Sequence, residues 1–282
     1  MTGSRRGRTG AAVAWQMTDE RILGDAMGHD SSVVRRLGLP PTIRACLFDL
    51  DGVLTETATI HARAWKRVFD EYLRTQARTS GGPFVPFDAV REYAQFVDGK
   101  RRSDGARSFL TARGIHLAEG TAGDPPSADT IHGIGARKQE VFRQLLREEG
   151  VRVFPGSLRY LQAVRNAGLL AAVVSSSSNC HAVLVAAGLD GLLDVRVDGL
   201  VAAARHLAGK PSPDTYLAAA EALGVAPAES AVFEDATAGI EAGRAGHFGY
   251  VVGVDRLGHG DELHRHGATV VVRDLCELME VP

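Results

Sequence analysis

Apolar segments of strand length alternate with helical patterns over the second half of the chain. No other feature of the sequence restricts the possible folds as strongly. The apolar segments lie at 169–174, 231–233, 250–254 and 269–272. Helical patterns lie at 157–167, 179–187, 213–223 and 237–244. This order is typical of an α/β protein with a Rossmann-like, doubly wound parallel sheet. Glycine follows several of these helices, as in Gly168, Gly188 and Gly224, which is a common way for a helix to end.

A further apolar segment, 43–48, precedes the others by about a hundred residues. The chain between them has helical spacing, for example at Ile60, Ala64 and Val68. We therefore predict an all-helical cap domain at 58–151, inserted after the first strand. The core domain is then formed by 42–57 and 152–282. Residues 1–41 are predicted to be a partly mobile N-terminal extension.

Composition excludes several classes of protein. The chain is 45% hydrophobic and 23% charged, with a net charge of −2, which favours neither nucleic acid nor an anionic membrane as a partner. No apolar run approaches the roughly 20 residues that a membrane helix needs. The three cysteines have no C-x-x-C spacing, which fits a reducing compartment. We predict a cytoplasmic monomer acting on a small molecule, with late histidines such as His259 at the surface.

Two carboxylates follow the first strand directly, in Asp49-Leu50-Asp51-Gly52. Ligands in α/β sheets bind at the carboxyl ends of strands, so this position favours chemistry. One carboxylate could act as a nucleophile and hold a cation, and the other could transfer a proton. Gly52 would permit a tight turn. The alternative is an acidic turn without function.

Polar residues also follow other strands or lie in loops. They are Ser175 to Asn179, Lys210, and Glu234 with Asp235. Taken separately, the serine segment is typical of a flexible loop and Lys210 of a solvated loop lysine. Glu234 and Asp235 are typical of the start of a helix. Taken together, they offer a hydroxyl, a cation and further acids, which suit phosphoryl transfer to a carboxylate. Oxygen ligands favour Mg²⁺.

These motifs, in this order, resemble the haloacid dehalogenase superfamily. The resemblance implies that Asp49 is the nucleophile and Asp51 the general acid and base, with Ser175 and Lys210 also catalytic. It further implies that Mg²⁺ is held by Asp49, the carbonyl of Asp51 and Asp235, with Glu234 as an additional candidate.

A narrower resemblance, to the β-phosphoglucomutase branch, covers about 42–282. It rests on the segments 61–66, 97–105, 137–138, 154–156 and 175–179. It implies conversion of β-glucose 1-phosphate to glucose 6-phosphate, with glucose 1,6-bisphosphate as activator and intermediate. The implied hinge residue is Thr57. The implied substrate-binding residues are His61, Trp65, Arg102, Lys138, Ser176, Ser177 and Asn179. The spacing of Trp65 with Phe69 and Leu73 is more typical of cap core.

Two residues depart from this branch. Ser178 stands where a lysine contacts the distal phosphate, and Gln139 stands where an asparagine follows the cap lysine. Lys100 or Arg101 are candidates to supply the missing charge. The departures leave a sugar-phosphate phosphatase as an alternative to the mutase. A non-catalytic sugar-phosphate binder is a more remote alternative.

Overall fold

A parallel six-stranded sheet forms the centre of the protein in the computed structural model, which describes residues 31–256 and 258–279. The strands are β1 (Ala45–Phe48), β2 (Leu170–Val174), β3 (Val195–Val197), β4 (Ser230–Glu234), β5 (Tyr250–Val254) and β6 (Val270–Val272). Their order is β3-β2-β1-β4-β5-β6, and all neighbouring pairs are parallel. The first strand in the chain thus lies near the middle of the sheet.

The residues of β1 explain its central position. All four are fully buried, as expected for a parallel strand covered on both faces. Because side chains alternate along a strand, Cys46 and Phe48 pack into the hydrophobic core on one face. Ala45 and Leu47 pack into the core on the other face.

Helices cover both faces of this sheet. They are α1 (Ser31–Arg36), α5 (Pro155–Asn166), α6 (Cys180–Ala187), α7 (Gly199–Ala204), α8 (Asp214–Leu223), α9 (Thr237–Ala245) and α10 (Gly260–His266). Residues of α1, α5 and α6 pack with Phe48, whereas residues of α8, α9 and α10 pack with Leu47. The predicted doubly wound α/β fold is therefore confirmed.

The chain between β1 and β2 is helical, and we refer to its helices as the cap. They are α2 (Thr57–Ser80), a π-helix (Tyr93–Val97), α3 (Arg102–Ala112) and α4 (Ile131–Glu149). An aromatic cluster holds them together: Phe69 lies 4.3 Å from Phe109 and 4.7 Å from Trp65 between ring centroids. Trp65 is only 3% exposed, in keeping with a packing role. Across the described residues, no helix is both long and apolar enough to cross a membrane.

One strand of the sheet was not predicted from the sequence. The three residues of β3 include Arg196 and so form no apolar run. Within the cap, Tyr93–Val97 is a π-helix, and a 3-10 helix, Leu275–Leu278, follows the last strand. Outside the sheet, Val153 forms an isolated bridge with Thr55.

Part of the predicted N-terminal extension contacts the core. Val34, Leu37 and Leu39 are buried in the same hydrophobic cluster as Phe48. Residues 1–30, which form most of the extension predicted at 1–41, lie outside the described residues. The packing of Val34 reflects an apolar helix face that covers one side of the sheet.

Candidate functional site

The predicted catalytic residues lie together at the carboxyl edge of the sheet. Phe48 at the end of β1 pairs with Val173 of β2 and Phe233 of β4, so the three strands end at one level. Asp49 and Ser175 therefore emerge next to each other, with the acids that end β4 on the opposite side. The parallel register brings together residues that are more than a hundred positions apart.

Lys210 connects two of the carboxylates. Its ammonium contacts both Oδ1 of Asp49 and Oε1 of Glu234. The hydroxyl of Tyr216 also donates to Oε1 of Glu234, at 2.7 Å. The backbone N–H of Asp51 donates to the other Asp49 oxygen, Oδ2, at 2.9 Å. The carboxylate of Asp49 is thus held from two sides at the end of β1.

Negative charge is concentrated at this point. Burial raises the pKa of Asp49 and so does Glu234, whereas Lys210 acts in the opposite direction. Burial, followed by the nearby Asp98, raises the pKa of Asp235. Burial disfavours the charge of Lys210, but Asp49 and Glu234 outweigh it and raise the pKa of this lysine. One lysine faces several acids, so the cluster has room for a further positive charge.

Three of the acids could hold a divalent cation. Asp49, Glu234 and Asp235 each offer an oxygen, and these atoms lie within 4.8 Å of one another. An all-oxygen set suits a hard ion such as Mg²⁺. Gly52 makes room for it: its φ is +98°, and a Cβ there would lie 1.7 Å from Oδ2 of Asp235. The residues present therefore fit a cation at this position.

The side chain of Asp51 contacts residues outside this group of ligands. Thr57 donates a hydrogen bond to its Oδ1, and the Oγ of Ser175 lies 3.3 Å from its Oδ2. Burial raises the pKa of Asp51. A carboxyl group with a raised pKa, next to the nucleophile, suits proton transfer to and from a substrate oxygen. Any contribution of Asp51 to a metal would come from its carbonyl, which stays a prediction.

A cap histidine and lysine extend the contacts of Asp51. Burial lowers the pKa of His61 well below its usual value, and burial followed by Arg102 lowers that of Lys138 to about 7. Nδ1 of His61 lies 2.7 Å from Nζ of Lys138. When Lys138 is charged it has only donors, so the ring proton of His61 then lies on Nε2. That nitrogen is 3.4 Å from Oδ1 of Asp51, which is too long for a good hydrogen bond.

A second polar cluster lies in the same cleft. Arg102 of the cap donates to Oε1 of Gln139, whose Nε2 donates to Oδ1 of Asn179 at 2.5 Å. Nearby, the Oγ of Ser177 accepts from the backbone N–H of Asn179 at 3.1 Å. The cleft, with a volume of about 620 Å³, is lined by residues of both clusters. It thus offers two groups of polar side chains to one ligand.

The remaining predicted substrate residues also border the cleft. Ser176 lines it and donates to the carbonyl of Gly99 at 2.7 Å, which joins the serine loop to the cap. Trp65 lines it too, and Nζ of Lys138 lies 5.6 Å from its ring centroid. Trp65 can therefore both support the cap core and form part of the cleft wall.

Three residues near the site were missed in the sequence. Asp98 lines the cleft, and burial raises its pKa to about 6. Arg256 donates to the carbonyl of Gly52 at 3.2 Å. A ring nitrogen of His259 lies 3.2 Å from the carbonyl of Asp235, and the residue is half-buried. Arg256 follows β5 by two residues, and this strand-end position could have identified it.

Known proteins agree with this arrangement. The sequence model of the haloacid dehalogenase-like hydrolase family matches residues 43–247 of this chain. A β-phosphoglucomutase of Mycobacterium bovis is 54% identical over 248 residues, covering 87% of this chain and 95% of that protein. A β-phosphoglucomutase of Bacillus subtilis is 31% identical, covering 84% of this chain and 92% of that protein.

A solved structure extends the comparison to three dimensions. The crystal structure of a β-phosphoglucomutase from Clostridium difficile superposes with a TM-score of 0.65 at 25% identity. It covers 84% of this chain and 93% of that one. The order of motifs, the sheet and these matches lead to one conclusion. This chain belongs to the haloacid dehalogenase-like hydrolase family.

Proposed function

We propose that this protein is a Mg²⁺-dependent β-phosphoglucomutase, which converts β-glucose 1-phosphate to glucose 6-phosphate through a phosphoaspartate at Asp49. One observation carries the proposal: a single cleft holds two polar clusters, one around Asp49 and Asp51 and another around Arg102 and Asn179. A sugar bisphosphate needs both, because only one of its phosphates reacts at a time. The names of the Mycobacterium bovis and Bacillus subtilis relatives support the same activity.

Asp49, Glu234 and Asp235 would hold the Mg²⁺, with the carbonyl of Asp51 as a further ligand. When bound, the ion would neutralise phosphate oxygens, so that an anionic carboxylate can approach an anionic phosphate. The hydroxyl of Ser175 and the ammonium of Lys210 would stabilise charge on the oxygens of the transferred group.

Asp49 and Asp51 divide the chemistry. The C6 hydroxyl of β-glucose 1-phosphate attacks the phosphoaspartate, the bond between phosphorus and Asp49 breaks, and Asp51 takes the hydroxyl proton. The bisphosphate then turns in the cleft. Asp49 attacks the phosphorus on C1, the bond to the C1 oxygen breaks, and Asp51 returns the proton to that oxygen. Glucose 6-phosphate leaves, and the phosphoaspartate is restored.

The cap would supply orientation and exclude water. His61 faces Asp51 and would link cap closure to the position of the acid and base. Lys138 would contact the sugar phosphate, while Arg102, with Ser177 and Asn179, would bind the phosphate that is not reacting. A closed cleft protects the phosphoaspartate from water until the sugar hydroxyl reaches it.

A specific assay tests this function. β-Glucose 1-phosphate is incubated with Mg²⁺, with and without glucose 1,6-bisphosphate, while glucose 6-phosphate and free phosphate are measured together. We expect bisphosphate-stimulated isomerisation with little free phosphate, and no product from Asp49→Asn. Full activity of Asp49→Asn would contradict the role of this carboxylate.

A sugar-phosphate phosphatase is the second candidate. It is favoured by Ser178, which places no positive charge at the end of the serine loop. Free phosphate without isomerisation, and without need for the bisphosphate, would support this alternative. Binding without any turnover, unchanged in Asp49→Asn, would instead support a sugar-phosphate binder.

A further inference from the structure

Arg143 of α4 lies at the mouth of the cleft. The mechanism described above gives this residue no role. Arg143 follows Gln139 by four residues, so the two side chains share one face of α4. Gln139 contacts Arg102 and Asn179 on this face. Both Arg102 and Arg143 line the cleft. Arg143 is therefore placed one helical turn outward from the second polar cluster.

Arg102 and Arg143 line one cleft and are near enough for their charges to interact. Burial lowers the pKa of Arg102, and the charge of Arg143 lowers it further. Within the described residues, Arg102 bonds only the neutral Gln139, and Arg143 has no hydrogen bond or ion pair. Glu140 also borders the mouth but forms no ion pair with either arginine in this part of the chain. Two repelling guanidinium groups suit a shared anion, because each can donate twice to a phosphate.

The two cationic candidates from the sequence, Lys100 and Arg101, also line the cleft, but their observed contacts are with other groups. Nζ of Lys100 lies 3.4 Å from both the carbonyl of Gln95 and the Oγ of Ser108. The stem of Arg101 packs on Gly209, where an added Cβ would lie 2.7 Å from its Cγ. Neither of these contacts involves Arg102, Gln139 or Asn179. Arg143, by contrast, shares a helix face with Gln139, so α4 offers a cation next to this cluster.

We propose that Arg143 and Arg102 together form a two-arginine site for the phosphate that is not reacting. The assignment rests on the proposed mutase function, since only a sugar bisphosphate needs this second site. Before the ligand binds, the amide of Gln139 accepts from Arg102 and holds its guanidinium in the cleft. When the ligand binds, its phosphate replaces the amide oxygen as acceptor and draws in Arg143.

The test compares a substrate that has a second phosphate with one that does not. Arg143→Gln and Arg143→Lys are assayed with glucose 1,6-bisphosphate in the mutase reaction and with p-nitrophenyl phosphate in hydrolysis. Arg147→Gln is the matched control, one turn further along the exposed side of α4. We expect Arg143→Gln to raise the KM for the bisphosphate about tenfold more than the KM for the aryl ester. The KM of Arg143→Lys for the bisphosphate should lie between those of Arg143→Gln and the wild type.

An equal change in both KM values, or an effect no larger than that of Arg147→Gln, would overturn the two-arginine site. A wild type without bisphosphate-dependent isomerisation would instead overturn the proposed mutase function. Calorimetric binding of glucose 1,6-bisphosphate to Asp49→Asn and to Asp49→Asn/Arg143→Gln then tests the site without turnover. Tighter binding to the first variant supports the site, and equal binding refutes it. Thermal unfolding of each variant checks that it is folded.

Discussion

Gln139 of the cap and Asn179 of the core form a reciprocal pair of amide hydrogen bonds across the cleft. Nε2 of Gln139 donates to Oδ1 of Asn179 at 2.5 Å, and Nδ2 of Asn179 donates to Oε1 of Gln139 at 3.1 Å. Asn179 immediately precedes α6, whereas Gln139 lies in α4. This pair joins the two sides of the cleft next to Arg102, so it can stabilise the closed cap.

Gln139→Ala should favour the open cap and let water compete with the sugar. The loss of about 1.4 kcal/mol of hydrogen bonding would shift closure about tenfold. We expect a larger share of free phosphate in the products, measured together with glucose 6-phosphate. Gln144→Ala is the control, because Gln144 bonds the exposed Glu148 on the same helix. An unchanged product ratio in Gln139→Ala would rule out a role in water exclusion.

Gly52→Ala should impair cation binding. Its Cβ would lie 1.7 Å from Oδ2 of Asp235, which would have to move out of the ligand group. Gly81→Ala is a control for backbone strain alone, since Gly81 has φ +71° and no atom within 4 Å of the added Cβ. Strain of this kind costs about 1–2 kcal/mol. We expect Mg²⁺ to raise the melting temperature of Gly81→Ala but not of Gly52→Ala. A normal Mg²⁺ response in Gly52→Ala would contradict this.

Lys138→Met should stabilise the protein at neutral pH while reducing activity. Lys138 is buried next to Arg102, His61 and Asp51, and its pKa is lowered to about 7. In the unfolded chain the pKa of Lys138 is higher than in the folded protein, so above pH 7 the unfolded state binds more protons. The free energy of unfolding of the wild type should therefore rise between about pH 7 and 10. Below pH 7 the cost of burying the charge is fully present. The variant lacks this cost and should gain roughly 1–3 kcal/mol at pH 7.

Urea denaturation between pH 7 and 10 measures this effect. The wild type should become more stable relative to Lys138→Met as the pH rises, until the difference is small. Lys66→Met is the control, because Lys66 is 44% exposed and pairs with Asp70. A constant difference across this pH range would show that the charge of Lys138 does not cause it.

Arg256 should position the catalytic loop. Its guanidinium donates to the carbonyl of Gly52 at 3.2 Å, to the Oγ of Ser157 at 3.0 Å and to the carbonyl of Arg273 at 2.7 Å. It also lies 3.8 Å from the ring centroid of Phe154. A lysine cannot reproduce this planar set of donors.

We expect Arg256→Lys to lower kcat about tenfold with little change in KM, because the loop that carries the catalytic acids is held less firmly. Steady-state kinetics with β-glucose 1-phosphate measures both constants. The exposed Arg273 provides the control variant Arg273→Lys. A change confined to KM would point to substrate binding and against positioning.

Much of the catalytic half of the site could be predicted from local patterns. Asp49, Ser175 and Glu234 each end or follow an apolar segment of strand length, and parallel strands bring such ends to one edge of a sheet. The alternation of strands and helices therefore predicts both the fold and the meeting of these residues. It does not detect β3, because an edge strand of three residues with Arg196 at its centre has no local apolar signal.

Local patterns in the sequence specify the parallel sheet and the residue types at its carboxyl edge, since both follow from periodicity over short distances. Which cap side chains meet these residues depends on tertiary packing. Lys138 and His61 are 77 residues apart, and Arg256 reaches Gly52 from 204 residues away. These contacts depend on how α4 packs against α2 and how the chain returns after β5. No local pattern specifies such packing, because it arises from side chains distant in sequence.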